Sequence, residues 1–191
     1  MKYLFFCITS FFLSAISIQA QNLSLKDPEW DYFFSLNCGS QMSGIKDEDF
    51  VSSNYAPLFN ITAGKWFAQY LAFQIGYKGF YFYYIADEIR HHYDYFYGEA
   101  VVNVNNIVQP KRSNKNWSVL LHGGAGYFYN HVYGKPSICT NIGIMNNYQL
   151  TNQFQVTIDI SSIIGWDIYQ GNEDILPGMI VGVTYFFNMG K

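Results

Sequence analysis

The side chains with which this chain could do chemistry at neutral pH are few. Its four histidines are His91, His92, His122 and His131, and a catalyst would need one of them to converge with a nucleophile and an orienting group. His91 and His92 are followed by Asp94 and Glu99, but neighbouring residues of an extended strand point to opposite faces, so His91-His92 is a poor metal pair. Lys78, Glu99, His122 and Asp159 fall on the polar sides of extended segments, where their simplest chemistry is to neutralise one another. The chain is therefore read as a non-enzyme that uses no cofactor and no metal.

The elements that must position these groups are strands. Phe154, Val156, Ile158 and Ile160 share one face while Gln155, Thr157, Asp159 and Ser161 share the other. Val119, Leu121, Ala125 and Tyr127 likewise oppose Ser118, His122, Gly124 and Gly126. Period-two alternation in segments of about ten residues is the signature of a closed transmembrane sheet. Six further strands are expected at Trp30–Gly39, Pro57–Phe67, Tyr70–Tyr81, His92–Asn105, Ile138–Gln149 and Leu176–Asn188. In the fourth, Ala100, Val102 and Val104 should face lipid and Glu99 and Asn103 the interior, with room for a bulge at Tyr95–Gly98 that would invert its upper half. The fold class expected is all-β, an eight-stranded antiparallel transmembrane barrel, with an even strand number leaving both termini on one side.

The connections agree. Ser40–Ala56, Phe82–His91, Asn130–Ser137 and Asp167–Ile175 make long loops at one end, whereas Ala68–Gln69 and Leu150–Gln153 are tight turns at the other; Ile107–Lys115 departs from that asymmetry. Trp30, Trp66 and Trp117 fall at the turn end and Trp166 at the loop end, where an indole would sit in a membrane interface. The rings around the second loop, among them Tyr81, Tyr83, Tyr84 and Tyr93, form either an aromatic girdle or a platform for an extracellular ligand or partner protein. The acidic and basic residues Lys46 to Asp49 read as a solvated loop.

Composition sets the compartment. Lys2, a hydrophobic run from Tyr3 to Ile16, and Ile18-Gln19-Ala20 before Gln21 form a secretory signal, so residues 1–20 are assigned to a signal peptide and 21–191 to the barrel domain. Losing Lys2 takes the net charge from −3 to −4, and a chain with no basic excess is not a nucleic-acid binder. Aromatic residues, at 20%, outnumber charged ones, at 13%, which is far from an ordinary soluble surface. Cys38 and Cys139 lie on strands that are not neighbours and are expected to be free thiols.

The carboxyl-terminal run Gly182-Val183-Thr184-Tyr185-Phe186-Phe187, with its glycine-x-x-aromatic-x-aromatic pattern, resembles the assembly signal of bacterial outer-membrane barrels; Gly182, Tyr185 and Phe187 carry it. With Ala63-Gly64-Lys65-Trp66-Phe67, Tyr70 to Tyr77, Gly98 to Asn106 and Gly123-Gly124-Ala125-Gly126-Tyr127, the chain resembles the small outer-membrane β-barrel proteins of Bacteroidota-type bacteria, similar to the amino-terminal barrel of outer membrane protein A. Many such relatives continue into a peptidoglycan-binding domain, whereas this sequence stops at Lys191, so a cell-wall tether is not carried over from the resemblance.

The resemblance implies localisation in the cell outer membrane, with outer-membrane lipids, lipopolysaccharide and the outer-membrane assembly machinery as partners. It implies a structural or surface-interaction role, the lumen plugged by polar side chains. The alternatives are a lipid A-modifying enzyme and a narrow small-solute channel. Barrels that deacylate lipid A carry a His-x-Ser pair, whereas the four histidines here are followed two positions later by Tyr93, Asp94, Gly124 and Tyr133.

Overall fold

A computed structural model describes residues 32–43, 54–84, 89–108, 116–169 and 173–187. The signal segment, Trp30 and the charged residues of the first loop lie outside the described residues. Eight strands close into one antiparallel barrel in sequence order: β1 (Tyr32–Met42), β2 (Tyr55–Ala68), β3 (Leu71–Tyr84), β4 (Ile89–Asn103), β5 (Trp117–Asn130), β6 (Lys135–Gln149), β7 (Phe154–Trp166) and β8 (Glu173–Phe187). β1 pairs with β8 over Tyr32↔Phe187 to Gln41↔Gly178, which leaves no open edge.

The strands run further toward the loop end than the alternation alone suggests. β3, β4, β5, β6 and β8 are 14 or 15 residues long. At about 3.3 Å per residue and a tilt near 40°, such strands rise about 35 Å, more than the apolar band of about 25 Å that a membrane barrel needs. The excess is greatest in the β3–β4 hairpin, whose pairs from Tyr81↔His92 to Tyr84↔Ile89 lie beyond the last β4–β5 pair, Tyr93↔Asn130.

The turn end is compact. β4 stops at Asn103 and a five-residue helix, α1 (Val104–Val108), takes over. Asn106 Nδ2 donates to the Gln69 carbonyl at 2.6 Å and Asn105 Oδ1 accepts from Val119 N at 2.9 Å, tying α1 to the β2–β3 turn and to β5. Val104 is therefore a helix residue, not a lipid-facing strand position.

Outside, the alternation builds an apolar wall: Leu36, Phe73, Ile75, Phe96, Leu121, Ile142, Ile158, Ile160, Val181 and Val183 are all exposed. So large a contiguous apolar surface is at home in lipid and not in water. Inside, the lumen is stacked in three layers. Phe33, Ala72, Val101, Leu120 and Met145, with Trp66 and Phe186 packed on them, fill the turn end. Polar and charged side chains occupy the middle. Phe82, Tyr93, Tyr95, Tyr97, Phe128, Cys139, Ile163, Ile168, Tyr169 and Leu176 fill the loop end.

Two expectations change here. β4 pairs with both neighbours in unbroken register, so the bulge at Tyr95–Gly98 is absent and Tyr93, Tyr95 and Tyr97 all point into the lumen. Trp66 faces inward against Phe33, ring centroids 6.4 Å apart, and is not an interface anchor; Trp117 and Trp166 are exposed as expected. The irregularities lie elsewhere, at Trp66/Ala68 in β2 and at Phe80 in β3, where φ is +123°.

Candidate functional site

The middle layer gathers Lys78 from β3, Glu99 from β4, His122 from β5 and Asp159 from β7, and all four are buried. Each arrives by the parity of its own strand: Gln74, Gly76 and Lys78, Glu99 and Val101, Leu120 and His122, Thr157 and Asp159 are successive inward positions. Glu99 Oε2 lies 2.8 Å from His122 Nδ1 and accepts from Gln74 Nε2 at 2.9 Å. On the other side of the ring, His122 Nε2 is 3.0 Å from Asp159 Oδ1. The imidazole thus bridges two carboxyl groups.

Lys78 and Glu99 do not meet directly. Lys78 Nζ donates to Asn141 Oδ1 at 3.1 Å and to Ser161 Oγ at 2.9 Å, and the Asn141 amide donates to Glu99 Oε1. Ser161 Oγ donates to Asp159 Oδ2 at 3.2 Å, which closes the circuit. Register explains the indirect link: Glu99 lies opposite Gln74, while Lys78 lies opposite Tyr95. Counting strand heights from an end of β4 at Asn105 would put Glu99 two residues below Lys78; because α1 begins at Val104, Glu99 sits four residues below it and the lysine reaches across to β6 and β7 instead.

Charge balance follows from counting protons. One ammonium, two carboxyl groups and an imidazole that serves both carboxyls sum to zero when the set carries one proton beyond neutral imidazole. In a medium of low dielectric that is the state with least desolvation cost. Beside the network, Tyr97 donates to Asn60 Oδ1 at 2.6 Å, its ring 5.5 Å from Lys78 Nζ, and Ser35, Thr184 and Thr157 form a hydroxyl chain. A cavity of about 30 Å³ lies among these groups and Trp66, room for a water or two.

Gly143 makes the bridge sterically feasible. It is an inward position of β6 paired with His122, and an added Cβ would stand 2.4 Å from His122 Nε2 and 2.7 Å from the Ile160 carbonyl. Asn141, Gln74, Ser161 and Gly143 were not singled out from the sequence. Strand parity marks them as inward, but a neutral side chain carries no separate sign that it will bond to a charge.

The loop-end aromatics divide. Tyr93 is 1% exposed, donates to Gln41 Oε1 at 2.7 Å and stacks on Phe128 at 4.8 Å, so it is a lumen residue and not a surface one. Its inward parity, kept because β4 has no bulge, is the reason. Tyr81 and Tyr83 are half-buried on the protruding hairpin, Tyr81 with Arg90 5.3 Å above its ring; Tyr84 ends β3 and its side chain lies outside the described residues. At the loop end of the aromatic layer, Asp174 Oδ2 accepts from Ile168 N and Tyr169 N at 2.7 and 2.8 Å, holding these two members of the layer in place.

On β8, Tyr185 and Phe187 lie on the outer face, stacked at 6.0 Å, with Phe187 on Tyr32 at 6.0 Å and Tyr185 near Phe154 at 5.1 Å. Gly182 is an inward position opposite Asn37 and Thr157. Cys38 is exposed and Cys139 buried, and both are free thiols. Among the described residues no group of three or more His, Cys, Asp or Glu is arranged to hold a metal ion.

A filled, closed, eight-stranded antiparallel barrel with an apolar outer wall is the architecture of the small outer-membrane barrels. No family model matches the sequence, and no curated protein matches it. Solved structures do. Neisserial surface protein A is similar with a TM-score of 0.54 at 12% identity, over 82% of this chain and 97% of that one. The amino-terminal barrel domain of Pseudomonas aeruginosa OprF is similar at 0.51 and 10%, over 82% and 100%, and the outer membrane protein OprG of the same organism at 0.50 and 7%, over 86% and 100%. At these identities the likeness is one of fold.

Proposed function

We propose that this chain is an integral outer-membrane barrel with a structural or surface-interaction role, its loop end extracellular and its lumen plugged by its own side chains. The observation that carries the reading is the combination of a lipid-compatible exterior with two apolar layers and a hydrogen-bonded polar layer buried in the lumen. A diffusion path would have to part both apolar layers, which favours a plug over a channel. The signal segment, the carboxyl-terminal pattern and the motif-level likeness to Bacteroidota-type barrels add delivery to the outer membrane by its assembly machinery, among outer-membrane lipids and lipopolysaccharide.

The surface role rests on the β3–β4 hairpin. It stands four residue pairs, about 13 Å at ~3.3 Å per residue, beyond the β4–β5 pairing and presents Tyr81 with Arg90 over its ring and His92 packed against it. A cation stacked on rings is common at protein interfaces. Purified barrel in planar bilayers should give no conductance, and cells making it should show no change in lipid A mass. Single-channel currents would replace this reading with the small-solute channel, and a mass change with the lipid A enzyme.

A further inference from the structure

Among the described residues, Lys65 of β2 is the only charged side chain on the turn-end half of the outer wall; the other charges lie in the lumen or toward the loops. Its place is set by the end of the sheet. Tyr32, the first residue of β1, pairs with Lys65 on one side and with Phe187, the last residue of β8, on the other. These three side chains stand where the apolar wall stops, at the edge of the membrane. Lys65 Nζ donates to the Tyr32 hydroxyl at 3.3 Å and lies 4.7 Å from the centroid of that ring and 5.9 Å from the Phe67 ring. Tyr32 is in turn stacked on Phe187, and Phe187 on Tyr185, both at 6.0 Å. The rings therefore fix the position of the ammonium.

What the pair offers is donors. An ammonium has three N–H groups, of which Tyr32 engages one; the tyrosine accepts that bond with its oxygen and keeps its own O–H to donate. Among the described residues no carboxylate lies within ion-pair distance of Lys65. A second feature begins directly beside it, one outward position further into the membrane. Ala63 is exposed between its two partners, Phe34 of β1 and Ile75 of β3, which are 39% and 60% exposed. One small side chain between two large ones makes a furrow in the apolar wall that runs along β2 from the ammonium toward Ile61. Donors alone would suit any anion; donors at the head of an apolar furrow suit an anion that carries a hydrocarbon chain.

We propose that Lys65 and Tyr32 bind the phosphodiester of one phospholipid in the leaflet at the turn end, with an acyl chain lying over Ala63 between Phe34 and Ile75. The ammonium supplies the charge and its two remaining N–H groups, and the tyrosine O–H a third donor. Phosphatidylglycerol, whose phosphate has no cation of its own, gains the whole attraction. The quaternary ammonium of phosphatidylcholine neutralises part of it. The inference rests on the membrane reading above.

The test is native mass spectrometry of the whole barrel released from mixed micelles of phosphatidylglycerol and phosphatidylcholine with identical acyl chains. Phosphatidylglycerol should be retained about five-fold over phosphatidylcholine, the scale of one lysine's attraction to an anionic lipid. Lys65→Gln should bring that ratio close to one. Tyr32→Phe and Ala63→Leu both keep the charge, so a general attraction of anionic lipid to a basic side chain would survive them unchanged. At the proposed site Tyr32→Phe should lower the ratio by about two-fold or more, through the lost hydroxyl, and Ala63→Leu should lower the amount of phosphatidylglycerol retained. Equal retention of the two lipids by the unaltered barrel would overturn the proposal without needing any variant to fold, as would any of the three folded variants behaving like the unaltered barrel. Retention of neither lipid would overturn the membrane reading itself.

Discussion

Replacing Lys78 by methionine should cost more than replacing Lys78 and Glu99 together. Methionine keeps most of the stem volume, so the change removes one charge and two donated hydrogen bonds, to Asn141 and Ser161, from a site where Lys78 is 2% exposed. The single variant leaves two carboxyl groups against one imidazole and hence one uncompensated buried charge. Breaking a buried ion set in this way costs about 3–5 kcal/mol. In the double variant Lys78→Met with Glu99→Gln, Asp159 and a doubly protonated His122 balance each other, and the amide at position 99 still offers an acceptor to its neighbours. What remains is the loss of a few hydrogen bonds at about 1 kcal/mol each, so the double should be roughly 2 kcal/mol more stable than the single. Urea unfolding of barrel refolded into detergent micelles, followed by tryptophan fluorescence, reads this directly. With a slope of about 2 kcal/mol per molar, the single variant's midpoint should fall by about 1.5–2.5 M and the double's by about half that. A double variant less stable than the single would refute the charge-balance argument, because it would mean that Glu99 matters independently of its distant cation.

Gly143→Val should destabilise the barrel by at least about 1–3 kcal/mol, since the new side chain has to displace His122 or the β7 backbone; a lower transition temperature on unheated gels checks it. Tyr127→Lys puts a charge on the lipid face and should cost up to about 2–4 kcal/mol in bilayers, less if that position sits at the interface, whereas Tyr127→Phe should be near neutral. In the folded barrel a membrane-permeant maleimide should modify Cys38 and spare Cys139; modification of both would place Cys139 outside the loop-end aromatic layer. Changing Tyr185 and Phe187 to Asp should leave export across the inner membrane intact and prevent outer-membrane insertion, as followed by fractionation; normal insertion would count against the carboxyl-terminal pattern as an assembly signal.

What the sequence by itself determined is whatever depends on period two. An extended chain turns successive side chains to opposite faces, so the inward set at Gln155, Thr157, Asp159 and Ser161 and the lipid-facing set at Phe154, Ile158 and Ile160 were legible from alternation alone, as were the number of strands and the lumenal direction of Lys78, Glu99, His122 and Asp159. Partner identity was not legible. Which residue lies opposite which depends on where each strand stops, and two residues of β4 ceded to α1 were enough to set Glu99 four residues below Lys78 and make Asn141 the link between them. Tyr93 looked like a rim aromatic because aromatic runs on both sides of a loop have no evident parity; continuous register with β3 and β5 settled it as a lumen residue. Phe80 shows the limit most sharply. Alternation sends it inward, but its φ is +123° and its ring lies outside, while Tyr93 and Phe128 occupy the close-packed lumen beside it, a backbone reversal that period two cannot encode.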